Sequence, residues 1–407
     1  LRSVYTISIW LYVFVIRIIA VFNPKAKLWL QGRKLLFTEL TKKIKVLPPH
    51  TKVVWVHCAS LGEFEQARPL IEALKKEHSP VSIVLSFFSP SGYEVRKNYA
   101  FADVVCYLPA DTPNNAKRFI SLVKPNLLIL VKYEFWFNHL AEAQKHGCKL
   151  YLIAGRFRKD QLFFRPGMHW FKKQLTMFEL LHVQDEASNR LLKEHGITST
   201  MVSGDPRYDR VSQNAADTQA IASIDRWING RNVCVAGSTW PEDEAVLLPW
   251  VESKCALIIA PHDISDKRLL EIEDRCNGAS IRYSTWMQDG LDAGTILIID
   301  NIGMLMHIYK QAHLAYVGGG FRSGLHNILE PAAFGIPVVF GPEHDKFPEA
   351  QALIDARGAR TVRSKIEFSE TLKLHLEKSM PSMGENAFKF VMSNTGATRK
   401  IMVTLKL

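Results

Sequence analysis

Nothing in this chain of 407 residues pairs its cysteines. The six of them, at 58, 106, 148, 234, 255 and 276, form no C-x-x-C and keep no regular spacing, which excludes a disulfide framework and a zinc ribbon. Several sit inside apolar runs such as VVWVHCAS and KCALIIAP, the usage of buried, reduced thiols in a cytosolic compartment. The absence of a Walker A motif argues against a P-loop ATPase. Without Asp-x-Asp or His-Glu-x-x-His no dedicated metal site is expected, and no cofactor is called for. No Gly-x-Ser-x-Gly elbow points to a hydrolase, and no repeat or low-complexity tract interrupts the chain. Carboxylates are scarce at one end. Residues 1–50 hold nine Lys or Arg against Glu39 alone, so they supply +8 of the net +11.

What accompanies those charges is apolar. VYTISIWLYVFVIRIIAVF, residues 4–22, is broken only by Thr6, Ser8 and Arg17. As a helix it reaches about 28 Å, close to the roughly 30 Å hydrocarbon thickness of a bilayer. No small-x-small cleavage site follows, against a cleaved signal peptide. A single span with Arg17 snorkelling to the interface, and a helix lying in the membrane surface, both fit. Both set the basic stretch from Lys25 to Lys45 against anionic headgroups, at about 1 kcal/mol per charge. The positive-inside bias then assigns the rest of the chain to the cytoplasmic side of the membrane. A basic surface also suits nucleic acid, but the apolar flank favours the membrane, and no nucleic-acid partner is expected.

Beyond the anchor, short apolar runs alternate with amphipathic stretches. Strands are expected at 52–59, 82–88, 103–109, 126–131, 149–155, 180–185 and 200–204, with helices at 63–78, near 113–123 and at 186–195. The alternation restarts at 232–238, 256–262, 295–300, 313–319 and 336–342. Strands apolar throughout, linked by helices, predict parallel sheets covered on both faces. The expected class is α/β, with two doubly wound, Rossmann-like domains facing a cleft. The expected divisions are an anchor at 1–24, a first domain at 25–204, a linker at 205–219, a second domain at 220–385 and a C-terminal helix at 386–407. That last helix is expected to cross back to the first domain. The linker, GDPRYDRVSQNAADTQ, is polar and lacks a hydrophobic period. The segment 155–178 interleaves basic residues with six aromatics, which suits either a membrane interface or an ordinary core face.

Chemistry is expected where strands end, because in open α/β sheets ligands bind beyond the strands' carboxyl ends. After the first strand, Ser60-x-x-Glu63 reads as a capping box and also as a carboxylate that could take a proton from a sugar hydroxyl. Lys132-Tyr133-Glu134-Phe135-Trp136 follows the strand at 126–131. Gly237-Ser238-Thr239-Trp240 opens a helix whose amides could hold an anion, although Glu242, Asp243 and Glu244 would stabilise that helix end unaided. Pro261-His262 ends the next strand. Gly318, Gly319 and Gly320 form a turn whose bare backbone could approach a ligand's phosphate. His326, Asn327 and Glu330 follow it, and suit either a ribose or a helix cap.

Taken in order, Ser60-x-Gly62-Glu63, Tyr133-Glu134-Phe135-Trp136, Gly204-Asp205-x-Arg207-x-Asp209, Gly237–Trp240, Ile258–Pro261, Ile302–Leu305 and the stretch from Val317 to Pro331 resemble the Kdo transferases of Gram-negative bacteria. The match runs from the anchor to about residue 350. The resemblance implies an inverting GT-B glycosyltransferase on the inner membrane. Such enzymes move 3-deoxy-D-manno-oct-2-ulosonic acid (Kdo) from CMP-Kdo to a phosphorylated lipid A precursor. It implies Glu63 as general base, with Glu134 and Arg207 stabilising the transition state. It also implies CMP contacts from Pro261, His262, Gly303, Met304, Leu305, Asn327, Ile328, Leu329 and Glu330; the turns themselves, not the resemblance, put Ser238 and Gly318–Gly320 near the donor phosphate. The chain departs from the family pattern in places. Pro261-His262-Asp263 stands where Pro-Arg-His is common, Lys132 where Glu is common, Arg207 where Lys is common, and Gly324-Leu325 where Gly-Gly is common. Other readings remain: a GT-B enzyme using a UDP-sugar, a nucleotide-sugar epimerase of the same architecture, or a membrane scaffold without catalysis.

Overall fold

Alternate side chains of a strand face opposite ways, so a strand apolar at every position needs cover on both faces. In β1 (Lys52–Cys58), Val54, Val56 and Cys58 pack on one side of the sheet and Trp55 on the other. The computed structural model describes residues 1–77, 80–132, 135–248, 255–290, 294–322, 324–376 and 382–407. It divides into two units, Leu1–Arg210 with Thr395–Leu407, and Val211–Asn394.

In the first unit β1 is joined by β2 (Val81–Phe87), β3 (Val104–Tyr107), β4 (Leu127–Val131), β5 (Lys149–Gly155), β6 (Leu180–Val183) and β7 (Thr200–Val202). They form a parallel sheet of order β3-β2-β1-β4-β5-β6-β7. The second unit repeats the plan with β8 (Asn232–Thr239), β9 (Cys255–Pro261), β10 (Ser280–Arg282), β11 (Ile296–Ile298), β12 (Leu314–Val317), β13 (Val338–Phe340) and β14 (Ala359–Thr361), in the order β10-β11-β9-β8-β12-β13-β14. Its strands also alternate faces: Cys234 and Ala236 join one core, Val233 and Val235 the other. β10 and β14 were not expected from the sequence. Each is a three-residue strand whose pattern is too short to read.

The segment read as an irregular linker is largely a helix, Pro206–Asp217. Proline suits a first turn, and Tyr208 and Val211, three apart, supply a small buried face. The unit boundary falls inside this helix. The C-terminal segment is two helices, Ser382–Ser393 and Ala397–Met402, rather than one. The break is at Gly396, whose φ is 98°. Asp209 accepts from the amide and hydroxyl of Thr398, both at 2.7 Å, and Ile401, Met402 and Leu405 join the first unit's core. In the 155–178 segment, Phe157 and Phe178 are buried, and Phe163, Phe164, Trp170 and Phe171 pack against the same core. These rings are core rather than interface.

The basic N-terminal region forms α1 (Arg2–Ile19), α2 (Pro24–Lys34) and α3 (Leu36–Lys45). Asn23 caps α2, accepting from Lys25 and Ala26. By length and composition, α1 is the one helix among the described residues that could cross a membrane. One side of it is fastened to the first unit. Tyr5 donates to the buried Asp111 at 2.6 Å, Arg2 donates to Asn138 at 3.1 Å, and Asn138 donates to Thr6 at 3.3 Å. The opposite side exposes Val4, Ile7, Trp10, Leu11, Phe14 and Ile18, and Phe22 is exposed in the turn that follows.

Candidate active site

Each sheet reverses direction of growth at one place, and there the loops beyond the strands' carboxyl ends part to leave a crevice. In the first unit the reversal lies between β1 and β4. The chain leaves β1 through Ala59 and Ser60 into α4 (Leu61–Glu77). Glu63 is buried at the start of that helix, and its Oε2 accepts from the amides of Ala59 and Ser60, the latter at 3.1 Å. This is the carboxylate half of the capping box. The helix start thus fixes an acidic side chain at the switch point.

Arg207 lies at the start of the helix that follows β7. Its Nε and Nη2 bind Asp205 Oδ2 at 2.9 and 2.8 Å. Asp205 is itself buried and accepts from Gln66 at 3.1 Å and Gln184 at 3.2 Å. Gln66 is one turn beyond Glu63 on α4, so a hydrogen-bonded relay joins Arg207 to the helix that carries Glu63. Glu134 lies outside the described residues. Of its described neighbours, Lys132 adopts φ 60° at the end of β4. Trp136 donates its indole N–H to His57 Nε2 at 2.9 Å, stacks on Phe88 at 4.4 Å, and so ties the start of the helix Phe137–Lys145 to β1. His57 is fully buried, and desolvation pulls its pKa down to about 3. With Nε2 accepting, the neutral ring carries its proton on Nδ1, facing Ser86 Oγ at 2.9 Å.

In the second unit the reversal lies between β8 and β12. Ser238 takes φ 55° where the register of β8 against β9 shifts. Gly318 is required because a Cβ there would meet the Ser238 carbonyl oxygen at 2.3 Å, and at Gly320 it would meet the Gly341 nitrogen at 2.6 Å. The triple glycine therefore lets backbone pack on backbone inside the protein. The Gly318 amide is spent on Gly237, and the Gly319 amide on Asp243 at 2.9 Å. Asp243 is buried, accepts also from Trp240 N and Tyr316 Oη, and fills the helix start that was read as an anion site. Desolvation raises its pKa. Glu244, also buried, pairs with Arg268. The acids at 243 and 244 are structural.

Above these turns three rings stack. His262 lies against Trp240 at 4.6 Å and against His326 at 4.7 Å, and Trp240 donates to His326 Nε2 at 3.1 Å. Burial, then the neighbouring His262, brings the pKa of His326 down to about 4, so its ring is neutral at physiological pH. Pro261 is buried at the end of β9, whereas His262 is exposed. Asn327 accepts from Leu329 N at 3.1 Å and donates to Glu330 at 3.0 Å, as a helix cap does. Ile328 and Leu329 point into the core, so only their main chain can meet a ligand. Gly303 has φ 101°, and Leu305 with Tyr309 packs where Gly237 lacks a Cβ.

The structure thus gathers Ser238, Pro261, His262, Gly318–Gly320 and His326 at one switch point, and Glu63, Gln66, Asp205 and Arg207 at the other. His57, Gln66, Gln184 and the supporting role of Asp205 escaped the sequence reading. Of these only Asp205 had a signal, two residues before Arg207. The others act through tertiary contacts that no local pattern encodes.

Residues 34–210 match the model of the 3-deoxy-D-manno-octulosonic-acid transferase (Kdo transferase) family. The chain is 28% identical over 377 residues to the 3-deoxy-D-manno-octulosonic acid transferase of Haemophilus influenzae, covering 88% of this chain and 87% of that one. It is 26% identical to the enzyme of the same name from Rickettsia felis, with 84% and 76% covered. Among solved structures it is similar in fold to a UDP-GlcNAc 2-epimerase from Neisseria meningitidis, with a TM-score of 0.59, 14% identity, and coverage of 87% of this chain and 98% of that one. That likeness establishes the two-sheet, GT-B-like architecture and nothing about substrate. By sequence, then, the chain is similar to 3-deoxy-D-manno-octulosonic acid transferases over most of its length.

Proposed function

We propose that this chain transfers Kdo from CMP-Kdo to a phosphorylated lipid A precursor at the cytoplasmic face of the inner membrane. The observation that carries the reading is the similarity to Kdo transferases, which extends over 84 to 88% of the chain. Glu63 acts as general base, taking the proton from a glucosamine hydroxyl as that oxygen attacks the anomeric carbon of Kdo. CMP departs from the opposite face of the sugar, so the configuration inverts through an oxocarbenium-like transition state. The grip of two backbone amides on Glu63 supports this role by fixing the carboxylate's direction. Arg207, steadied by Asp205, and Glu134 stabilise the charges that develop.

CMP belongs to the second unit, with the exposed His262, the Asn327–Glu330 pair, the main chain at 328–329 and the Gly303–Leu305 turn as its contacts. Because the Gly318 and Gly319 amides are engaged internally, Ser238 is the better donor to the phosphate. A monophosphate leaving group carries less charge than a diphosphate, which suits a site built from such neutral donors. The bonds from Arg2, Tyr5 and Thr6 to the first unit support a helix α1 that lies in the membrane surface, with its apolar side toward lipid.

The test is transfer of labelled Kdo from CMP-Kdo to a lipid A precursor, together with thermal protection by CMP and by UDP. Transfer with protection by CMP alone is expected. No transfer, with protection by UDP instead, would overturn the reading in favour of a UDP-sugar enzyme or an epimerase.

A further inference from the structure

We infer that the pocket enclosed by α1, α2, α3 and the turn after β3 binds the phosphate headgroup of a membrane lipid. The cavity measures about 380 Å³, and its walls include Val13, Arg17, Leu30, Arg33, Lys34 and Phe37. Three of these residues are cationic, and no carboxylate lines the cavity. Among the described residues none of the three makes an ion pair.

Arg33 is the anomaly. Its donors go to three main-chain carbonyls, those of Leu108 and Phe88 at 2.8 Å and Trp29 at 3.0 Å. Its guanidinium lies 3.8 Å from the centre of the Trp29 ring and 4.8 Å from that of Tyr107. Desolvation draws its pKa down to about 9, so it keeps its charge at neutral pH. Asp111, in the turn beside the pocket, is committed to Tyr5, His139 and the Asn138 amide. A partly enclosed cation without a counterion is costly, and an anion between Arg17 and Lys34 would relieve it. The chemistry that completes the pocket is therefore a phosphate.

The source of that phosphate follows from the rest of the wall. Val13, Leu30 and Phe37 are apolar. Trp10 and Phe14, one turn before Val13 and Arg17 on the same flank of α1, are exposed. A headgroup in the pocket would leave its acyl chains on that apolar face, whereas free phosphate would gain nothing from it. The inference rests on the reading that α1 lies in the membrane surface, and it adds one stoichiometric lipid to what general charge attraction provides.

The full chain in nonionic detergent is mixed with phosphatidylglycerol, diacylglycerol or inorganic phosphate, and the lipid retained per chain is counted by native mass spectrometry. One phosphatidylglycerol should be retained and no diacylglycerol, and inorganic phosphate in excess should not displace it. Arg17→Gln with Lys34→Gln should weaken retention about 30-fold, the share of two surface charges. Both side chains are exposed, so an unchanged melting temperature verifies the fold. Equal retention by the variant, equal retention of diacylglycerol, or displacement by inorganic phosphate would overturn the proposal. Flotation with phosphatidylglycerol vesicles separates the two readings. A protein that retains one lipid but does not float refutes the membrane-surface helix and leaves the pocket standing. One that floats with no retained lipid does the reverse.

Discussion

Acid should loosen the first unit through His57. The ring is fully buried on β1 between Ser86 and Trp136, and burial holds its pKa at about 3. In the unfolded chain an imidazole titrates near 6.5, by the usual reference of about that value. Between the two values the unfolded chain takes up a proton that the folded one refuses. The stability contributed by the neutral ring is therefore complete above roughly pH 6.5 and is lost as the pH falls toward the folded value. Going from about pH 8 to about pH 5 should remove on the order of 2 kcal/mol, because about 1.5 pH units lie below the unfolded pKa at about 1.4 kcal/mol each. His182, fully buried on β6 with its pKa held at about 4, should add a similar loss in the same window. Urea unfolding at the two pH values, followed by tryptophan fluorescence, measures the total. His57→Gln isolates the single ring, since its amide can accept from Trp136 and donate to Ser86 without titrating. The variant should lose about 2 kcal/mol less than the parent over that interval. Equal losses would refute the argument that a buried, neutral imidazole at 57 sets the slope.

Glu63→Gln keeps an oxygen for the amides of Ala59 and Ser60, so the fold and CMP protection should survive while turnover falls by about 10²- to 10⁴-fold. Unchanged turnover would remove Glu63 as the base. Gly318→Ala drives a methyl group into the Ser238 carbonyl and should destabilise the second unit by about 1–3 kcal/mol or more, read as a lower urea midpoint. Tyr5→Phe removes a hydrogen bond to a buried carboxylate and should cost about 1.5–3 kcal/mol, with α1 cut sooner by protease. If α1 instead left the protein to cross the bilayer, that substitution would change neither readout.

All strands but β10 and β14 were readable because they lie in largely apolar runs, and the observed 149–155 strand has the expected limits. Pro113–Val123 was equally plain, since Thr112 caps it and proline starts it. The helix at 206–217 was missed because only Tyr208 and Val211 mark its inner face. At the switch points the sequence displayed the residue types but not their obligations. Gly318 and Gly320 looked like a cradle for a ligand, and the backbone strands they accommodate are distant in sequence or folded back upon them. Asp243 read as one of three acids stabilising a helix end and is a buried acceptor for three donors. The pairing of Trp136 with His57 spans 79 positions, beyond the reach of any local pattern.

Because the first sheet's core includes Ile401, Met402 and Leu405, that unit is assembled from two stretches that flank the second unit in sequence. During synthesis its seven strands emerge early, yet one flank of α4 stays uncovered until the second unit has been translated and residues 395–407 follow it. The second unit, continuous from 211 to 394, has no such wait and is free to mature beforehand. The order of completion therefore runs against the order of synthesis, and a stop codon just before residue 395 would injure the half of the molecule that was made first.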